Sequence, residues 1–249
     1  MRNHDKIERL IALIILDIIV LVLVVVLSNF TYAQENPELH QKTLYYLYEK
    51  HITSKQNAHI TVGTRPRAIG VDEITHRIYV ANAFNNTVSV IDGQNNTKIG
   101  KDIPVGRHPA AIAVDGTTNR IYVANAFNNT VSVIDGQNNT KIAKDIPVGR
   151  VPSAIAVDGT TYTIYVANAF NNIVSVIDGN TNRNIKNITV GQNPRAIAFS
   201  MYRIYVANYD DKTVSVIDGQ NNTKIGDIPV GRHPLAIAVD GTTNTTYVG

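Results

Sequence analysis

After His59 the apolar residues fall into short runs separated by turn-forming residues, and the whole pattern then recurs. Between residues 108 and 150 the runs are Ala110–Val114, Arg120–Asn125, Thr130–Ile134 and Lys141–Val148. Between them stand Asp115-Gly116-Thr117-Thr118, Ala126-Phe127-Asn128-Asn129 and Asp135-Gly136-Gln137-Asn138-Asn139. Apart from Ala126 and Phe127 these are turn formers. Within the runs, Ile112 and Val114, Tyr122 and Val123, Val131 and Val133, and Ile142 and Ile146 favour extended backbone. Four short strands per unit are therefore expected, and no segment of the repeat offers ten residues at helical spacing.

The spacing of the units narrows the fold. A Val-Gly-x-x-Pro element begins at Val62, Val105, Val148, Val190 and Val230, in steps of 43, 43, 42 and 40 residues. A Tyr-Val-Ala-Asn element begins at Tyr79, Tyr122, Tyr165 and Tyr205, and the 22 residues from Ile78 to Ile99 are identical to those from Ile121 to Ile142. Leucine-rich, ankyrin and tetratricopeptide arrays need helix or a different leucine pattern. A two-sheet sandwich has no reason to repeat a segment residue for residue. The expected fold is all-β: a β-propeller of four-stranded blades, with four full repeats from about residues 65, 108, 151 and 193 plus partial terminal repeats. The partial repeats are an outer-strand fragment, His59 to Val62, and two inner strands, Ala236–Val239 and Thr245–Val248. They either meet in a shared fifth blade or leave the ring incomplete. In the second case the unpaired blade edges are candidates for self-association.

These units resemble the YVTN-type β-propeller repeats of prokaryotic, especially archaeal, surface proteins. The resemblance rests on Tyr79-Val80-Ala81-Asn82, on Thr87-Val88-Ser89-Val90-Ile91-Asp92, and on Ile103-Pro104-Val105-Gly106-x-x-Pro109-x-x-Ile112-Ala113-Val114. It spans residues 59–249 and implies a propeller without fixing a reaction. Similar propellers include lactonases and quinoprotein-like or cytochrome-like domains.

The 58 residues before the repeats read differently. Leu10 to Leu27 is apolar except for Asp17 and follows a short charged leader containing Arg2, Lys6 and Arg9. As a helix this stretch would span about 27 Å, close to the hydrocarbon thickness of a bilayer. Thr31-Tyr32-Ala33 has the form of a signal-cleavage site. Residues 1–33 are thus expected to be a signal peptide or an N-terminal transmembrane anchor, with membrane contact through residues 10–27. Residues 34–58 are expected to form a stalk or short helix from Pro37 to Lys50. The repeats would then lie outside the cytoplasm, membrane-anchored or secreted.

Composition removes several function classes. The 249 residues contain no cysteine, which excludes disulfides, Cys-ligated metal and thiol nucleophiles. A net charge of +3, with no basic helix or basic aromatic platform, gives no case for nucleic acid. No Ser-His-Asp arrangement, His-x-x-x-His pair, phosphate loop or mixed metal cluster is visible, so no catalytic residue, metal or cofactor is assigned.

In a propeller, the outer-to-inner turns and the second-to-third loops share one face. The turns collect Arg65, Arg67, Arg107, His108, Arg150, Arg195, Arg232 and His233. Of these, Arg65, Arg107, His108, Arg150, Arg232 and His233 form the candidate anion-binding set, since a ring of guanidinium groups at a central mouth attracts carboxylate, sulfate or acidic glycan. Independent solvated positions copied with the repeat would give the same list. Phe84, Phe127, Phe170 and Tyr209 form an aromatic rim or simply cover the core. Asp72, Asp115, Asp158 and Asp240 read as hairpin turns, with weak calcium binding as the other reading. Candidate N-glycosylation acceptors are Asn85, Asn95, Asn128, Asn138, Asn187, Asn221 and Asn244. The leading expectation is a cell-surface or envelope propeller that binds surface proteins or glycans. The alternative is a lactonase-like hydrolase or lyase acting at the central mouth.

Overall fold

In the computed structural model, residues 59–249 are described, apart from 143 and 244. The compact unit runs from Ile60 to Gly249. Each repeat begins at the proline of its turn and folds as an antiparallel meander. The first comprises β1 (Pro66–Asp72), β2 (Arg77–Asn82), β3 (Thr87–Asp92) and β4 (Thr97–Pro104). The second comprises β5 (Pro109–Asp115), β6 (Arg120–Asn125), β7 (Thr130–Asp135) and a split outer strand, β8 (Thr140–Lys141) and β9 (Ile146–Pro147). The third comprises β10 (Pro152–Asp158), β11 (Thr163–Asn168), β12 (Ile173–Asp178) and β13 (Arg183–Thr189). The fourth comprises β14 (Pro194–Ser200), β15 (Arg203–Asn208), β16 (Thr213–Asp218) and β17 (Thr223–Pro229). A two-stranded sheet of β18 (Ile237–Asp240) and β19 (Thr245–Val248) follows.

The innermost strands β1, β5, β10, β14 and β18 lie side by side in chain order, so the sheets succeed one another in a propeller-like array. Alternation along each strand gives a sheet two apolar faces. On one, Ile112, Val114, Ile121, Val123 and Ile134 meet Tyr79, Val88, Val90 and Ile103 of the preceding sheet. The same interface recurs where Tyr122, Val131 and Val133 face Ile164, Val166 and Ile177, and where Tyr165, Val174 and Val176 face Ile204, Val206 and Ile217. Each fully buried Ile or Val contributes about 1.5–3 kcal/mol, so three stacked interfaces form the core. Tyr79, Tyr122 and Tyr165 sit in these interfaces, and Tyr165 donates its hydroxyl to Asn222 Oδ1 of the next sheet at 2.8 Å.

Several expectations change. Lys141–Val148 was expected to be one strand, yet β8 and β9 are separate pieces, whereas β4, β13 and β17 run unbroken. In β4 a bulge is accommodated by Gly100 at φ 62°. The equivalent residue of the second unit is Ala143, which lies outside the described residues. His59 to Val62 is not strand, so it does not supply the outer strand of a shared blade.

The description of the chain as a membrane-spanning protein is also corrected. The described residues are strand, turn and loop throughout, and no helix among them is long and apolar enough to cross a membrane. The segment 10–27, the cleavage motif at 31–33 and the short helix at 37–50 all lie outside the described residues.

Candidate functional site

The turns entering the second, third and fourth sheets are fixed by three local devices. The residue before the proline adopts a left-handed conformation: Arg65 (φ 53°), His108 (55°), Val151 (54°), Asn193 (55°) and His233 (57°). A side-chain amide from the preceding loop holds it there, with the His108 N–H donating to Asn86 Oδ1 at 2.8 Å and Val151 N–H to Asn129 Oδ1 at 2.9 Å. Holding such a non-glycine φ requires contacts of this kind. The glycine of the turn is needed for close approach, because a Cβ on Gly106 would lie 2.6 Å from Asn125 Cγ.

The second-to-third loop is clasped onto this turn. Ala126 N–H donates to His108 O at 2.9 Å, Phe127 N–H to Arg107 O at 3.1 Å, and Arg107 N–H to Asn128 Oδ1 at 2.6 Å. Turn and loop therefore share one face in each unit. The loop aromatics are left largely outside the core, with Phe84 57%, Phe127 63% and Phe170 66% exposed.

A β-bulge then sets the side chains that look into the mouth. The pairing of β1 with β2 shifts register between Pro66 and Ala68, so Arg67 is the extra residue. The same shift makes Ala110, Ser153 and Arg195 the extra residues of β5, β10 and β14. Proline has no N–H for the ladder, and a bulge re-aims the residue it releases. Arg67, Ala110, Ser153 and Arg195 all line one cleft of 320 Å³, together with Leu235, the residue after the proline of the last turn. His108 and Phe127 form part of the wall, stacked on each other at 4.2 Å between ring centroids and 9° between planes. The remaining lining is apolar: Ala126, Val151 and Pro152.

The candidate anion-binding residues distribute unevenly around this cleft. His108 lines it; Arg65, Arg107, Arg150, Arg232 and His233 do not. Arg65 lies over the Phe84 ring at 4.5 Å and Arg150 over Phe170 at 5.8 Å, both cation–π arrangements on the loop aromatics. His233 packs against Tyr209 at 4.5 Å. Arg107 and Arg232 are exposed. The residues that sequence reasoning underweighted are Arg67, Ser153 and Arg195. Their signal was the position after the proline, which reads Arg, Ala, Ser, Arg, Leu along otherwise near-identical units.

The electrostatics of the cleft are positive. Burial holds the His108 imidazole below the usual histidine range, and the guanidinium groups of Arg67 and Arg65 push it further in the same direction. The Ser153 hydroxyl donates to Pro194 O at 2.7 Å, so its remaining capacity toward a ligand is as an acceptor.

On the other side of the sheets the aspartates serve their own turns. Asp115 Oδ1 accepts from Thr117 N–H at 3.0 Å and its Oδ2 from the Thr118 hydroxyl at 2.6 Å, and Asp158 repeats this with Thr160 and Thr161. Among the described residues no group of three His, Asp or Glu side chains is placed to hold a metal ion. Asn85, Asn95, Asn128, Asn138, Asn187 and Asn221 are exposed, while Asn244 lies outside the described residues.

No family model matches the chain, and no curated protein matches it. Solved structures do. The chain is similar to hydrazine synthase of Kuenenia stuttgartiensis, with 25% identity and a TM-score of 0.63 over 74% of this chain and 54% of that one. It is also similar to a functionally unknown protein from Desulfotomaculum acetoxidans DSM 771, with 17% identity and a TM-score of 0.66 over 76% of this chain and 63% of that one. The chain spans little more than half the length of the first and under two thirds of the second. What these likenesses establish is an all-β repeat fold of the propeller-like kind.

Proposed function

We propose that this chain is an exported, YVTN-type propeller that works as a non-enzymatic recognition scaffold, using the turn-and-loop face to read surface proteins or glycans. The observation that carries the reading is where the identity of the units breaks down. Tyr-Val-Ala-Asn recurs unchanged four times, whereas the bulge residue beside it changes from Arg67 to Ala110 to Ser153 to Arg195. A purely architectural array has no use for chemically different side chains at equivalent positions of one cleft. A recognition surface does, because specificity comes from a few distinct side chains on a rigid frame. The exposed loop phenylalanines supply the broad apolar contact area that such surfaces use. The exposed acceptor asparagines suit an exported chain.

The test is a glycan and peptide array probed with the full-length protein and with a triple Phe84→Ser, Phe127→Ser, Phe170→Ser variant. Loss of array binding at unchanged melting temperature is the expected result. Binding that survives the triple change would move recognition off this face and sink the reading.

A further inference from the structure

The cleft has a composition more specific than a generic mouth. Its charged lining is cationic, Arg67 and Arg195, brought from the first and fourth repeats by equivalent bulges. No aspartate or glutamate lines it. The acidic pair in the fourth repeat's loop, Asp210 and Asp211, stays outside; Asp211 instead accepts from Gln192 N–H at 2.7 Å. Among the described residues neither arginine is ion-paired. Two guanidinium groups lining one cleft that no protein carboxylate lines call for an anion, and their planar N–H forks can pair bidentately with a planar carboxylate.

The rest of the cleft sets the body of that anion. Phe127 and its stacked partner His108 offer a flat ring surface, while Val151, Pro152 and Leu235 are apolar. Ser153, with its proton already committed to Pro194 O, adds only an acceptor. A polyhydroxylated ligand would find few partners for its hydroxyls here, and burying them unpaired is costly. The 320 Å³ volume is at the small end of ligand sites.

We propose that this cleft binds a small organic carboxylate with an apolar or aromatic body, its carboxylate held by Arg67 and Arg195 and its body laid against Phe127. The assignment rests on the reading of this face as the recognition surface, and it names the chemistry that the surface selects. Arg65 and Arg150, each lying over a loop phenylalanine, belong to the rim around the cleft rather than to its floor.

Calorimetry on the full-length protein with phenylacetate, its neutral isostere phenylacetamide, and glucuronate tests the assignment. Phenylacetate is expected to bind with one equivalent, and phenylacetamide and glucuronate about tenfold or more weaker, the scale of losing one charge-assisted pair. Arg67→Gln and Arg195→Gln should each weaken phenylacetate about tenfold. Arg107→Gln removes the same charge from an exposed position outside the cleft and should leave binding unchanged. Equal binding of acid and amide, tighter binding of glucuronate, equal loss in Arg107→Gln, or no phenylacetate binding would each overturn the assignment. Array binding that persists while phenylacetate fails would remove the carboxylate alone, and array binding lost only in the triple phenylalanine variant would still support the face as a recognition surface.

Discussion

Ser132 and Asn125 are joined across the middle of the second sheet, where the Asn125 side-chain amide donates to Ser132 Oγ at 2.9 Å, both residues being fully buried. Ser132 passes its own proton outward to Asp145 at 2.6 Å, and the Gly106 N–H donates to the same oxygen at 3.3 Å. One hydroxyl thereby ties the second strand, the outer segment and the entering turn together. The arrangement recurs as Asn82–Ser89–Asp102 and Asn208–Ser215–Asp227, with Asn187 taking the aspartate's place beside Ser175.

Ser132→Ala is therefore expected to destabilise the protein by about 1–3 kcal/mol, because it leaves the Gly106 N–H without a partner and costs the Asn125 amide one of its acceptors. Urea denaturation of the variant checks this. A change under a few tenths of a kcal/mol would show that the relay is not a stabilising element.

His108 gives a prediction in pH. Its pKa is lowered by burial first and then by Arg67 and Arg65, so the folded protein favours the neutral ring. A depressed histidine means that the unfolded chain binds more protons in the window between the two values. The associated stability is present above the unfolded value of about 6.5 and is lost as pH falls through the lower folded value. A histidine-resolved NMR titration should show His108 with its midpoint below 6.5, moving part of the way back in Arg67→Gln. An unmoved midpoint would show that Arg67 does not act on the ring.

Equivalent residues need not be equally important. Ile69 pairs with Val80 just as Ile155 pairs with Val166, yet Ile69 is 66% exposed and Ile155 only 9%. Ile155 packs within the interface between the second and third sheets. Ile155→Ala should cost about 2–5 kcal/mol, and Ile69→Ala well under 1 kcal/mol. Chemical denaturation of the two variants side by side settles the comparison, and similar losses would contradict the burial difference.

The boundaries of the three inner strands of the second unit were legible to within a residue because they are marked chemically: a proline stands at the start of the innermost strand, Asn and Asp end the second and third, and turn formers fill the gaps. Arg120–Asn125 was read to the residue, and the sharing of one face by turn and loop followed from the meander. Three features were not legible, each for a physical reason. The bulge after the proline is a shift of register between strands, which residue types do not display, so Arg67 and Arg195 were left out of the candidate anion-binding set. The break between β8 and β9 falls in a segment whose pattern follows that of the unbroken β4, so residue types did not mark it. His59 to Val62 has a strand's composition, yet composition supplies no neighbouring ladder to join.

The sheet interfaces described above use the same residues in the same order each time, Tyr and Val of one unit against Ile and Val of the next. Each of the first three units thus presents to its follower what the other two present. Duplicating or deleting a whole repeat would leave each surviving interface with a fitting partner, so array length can drift through unequal recombination between near-identical gene segments. The bulge residues travel with their repeats, and each such event would reshuffle the lining of the mouth while leaving its frame intact.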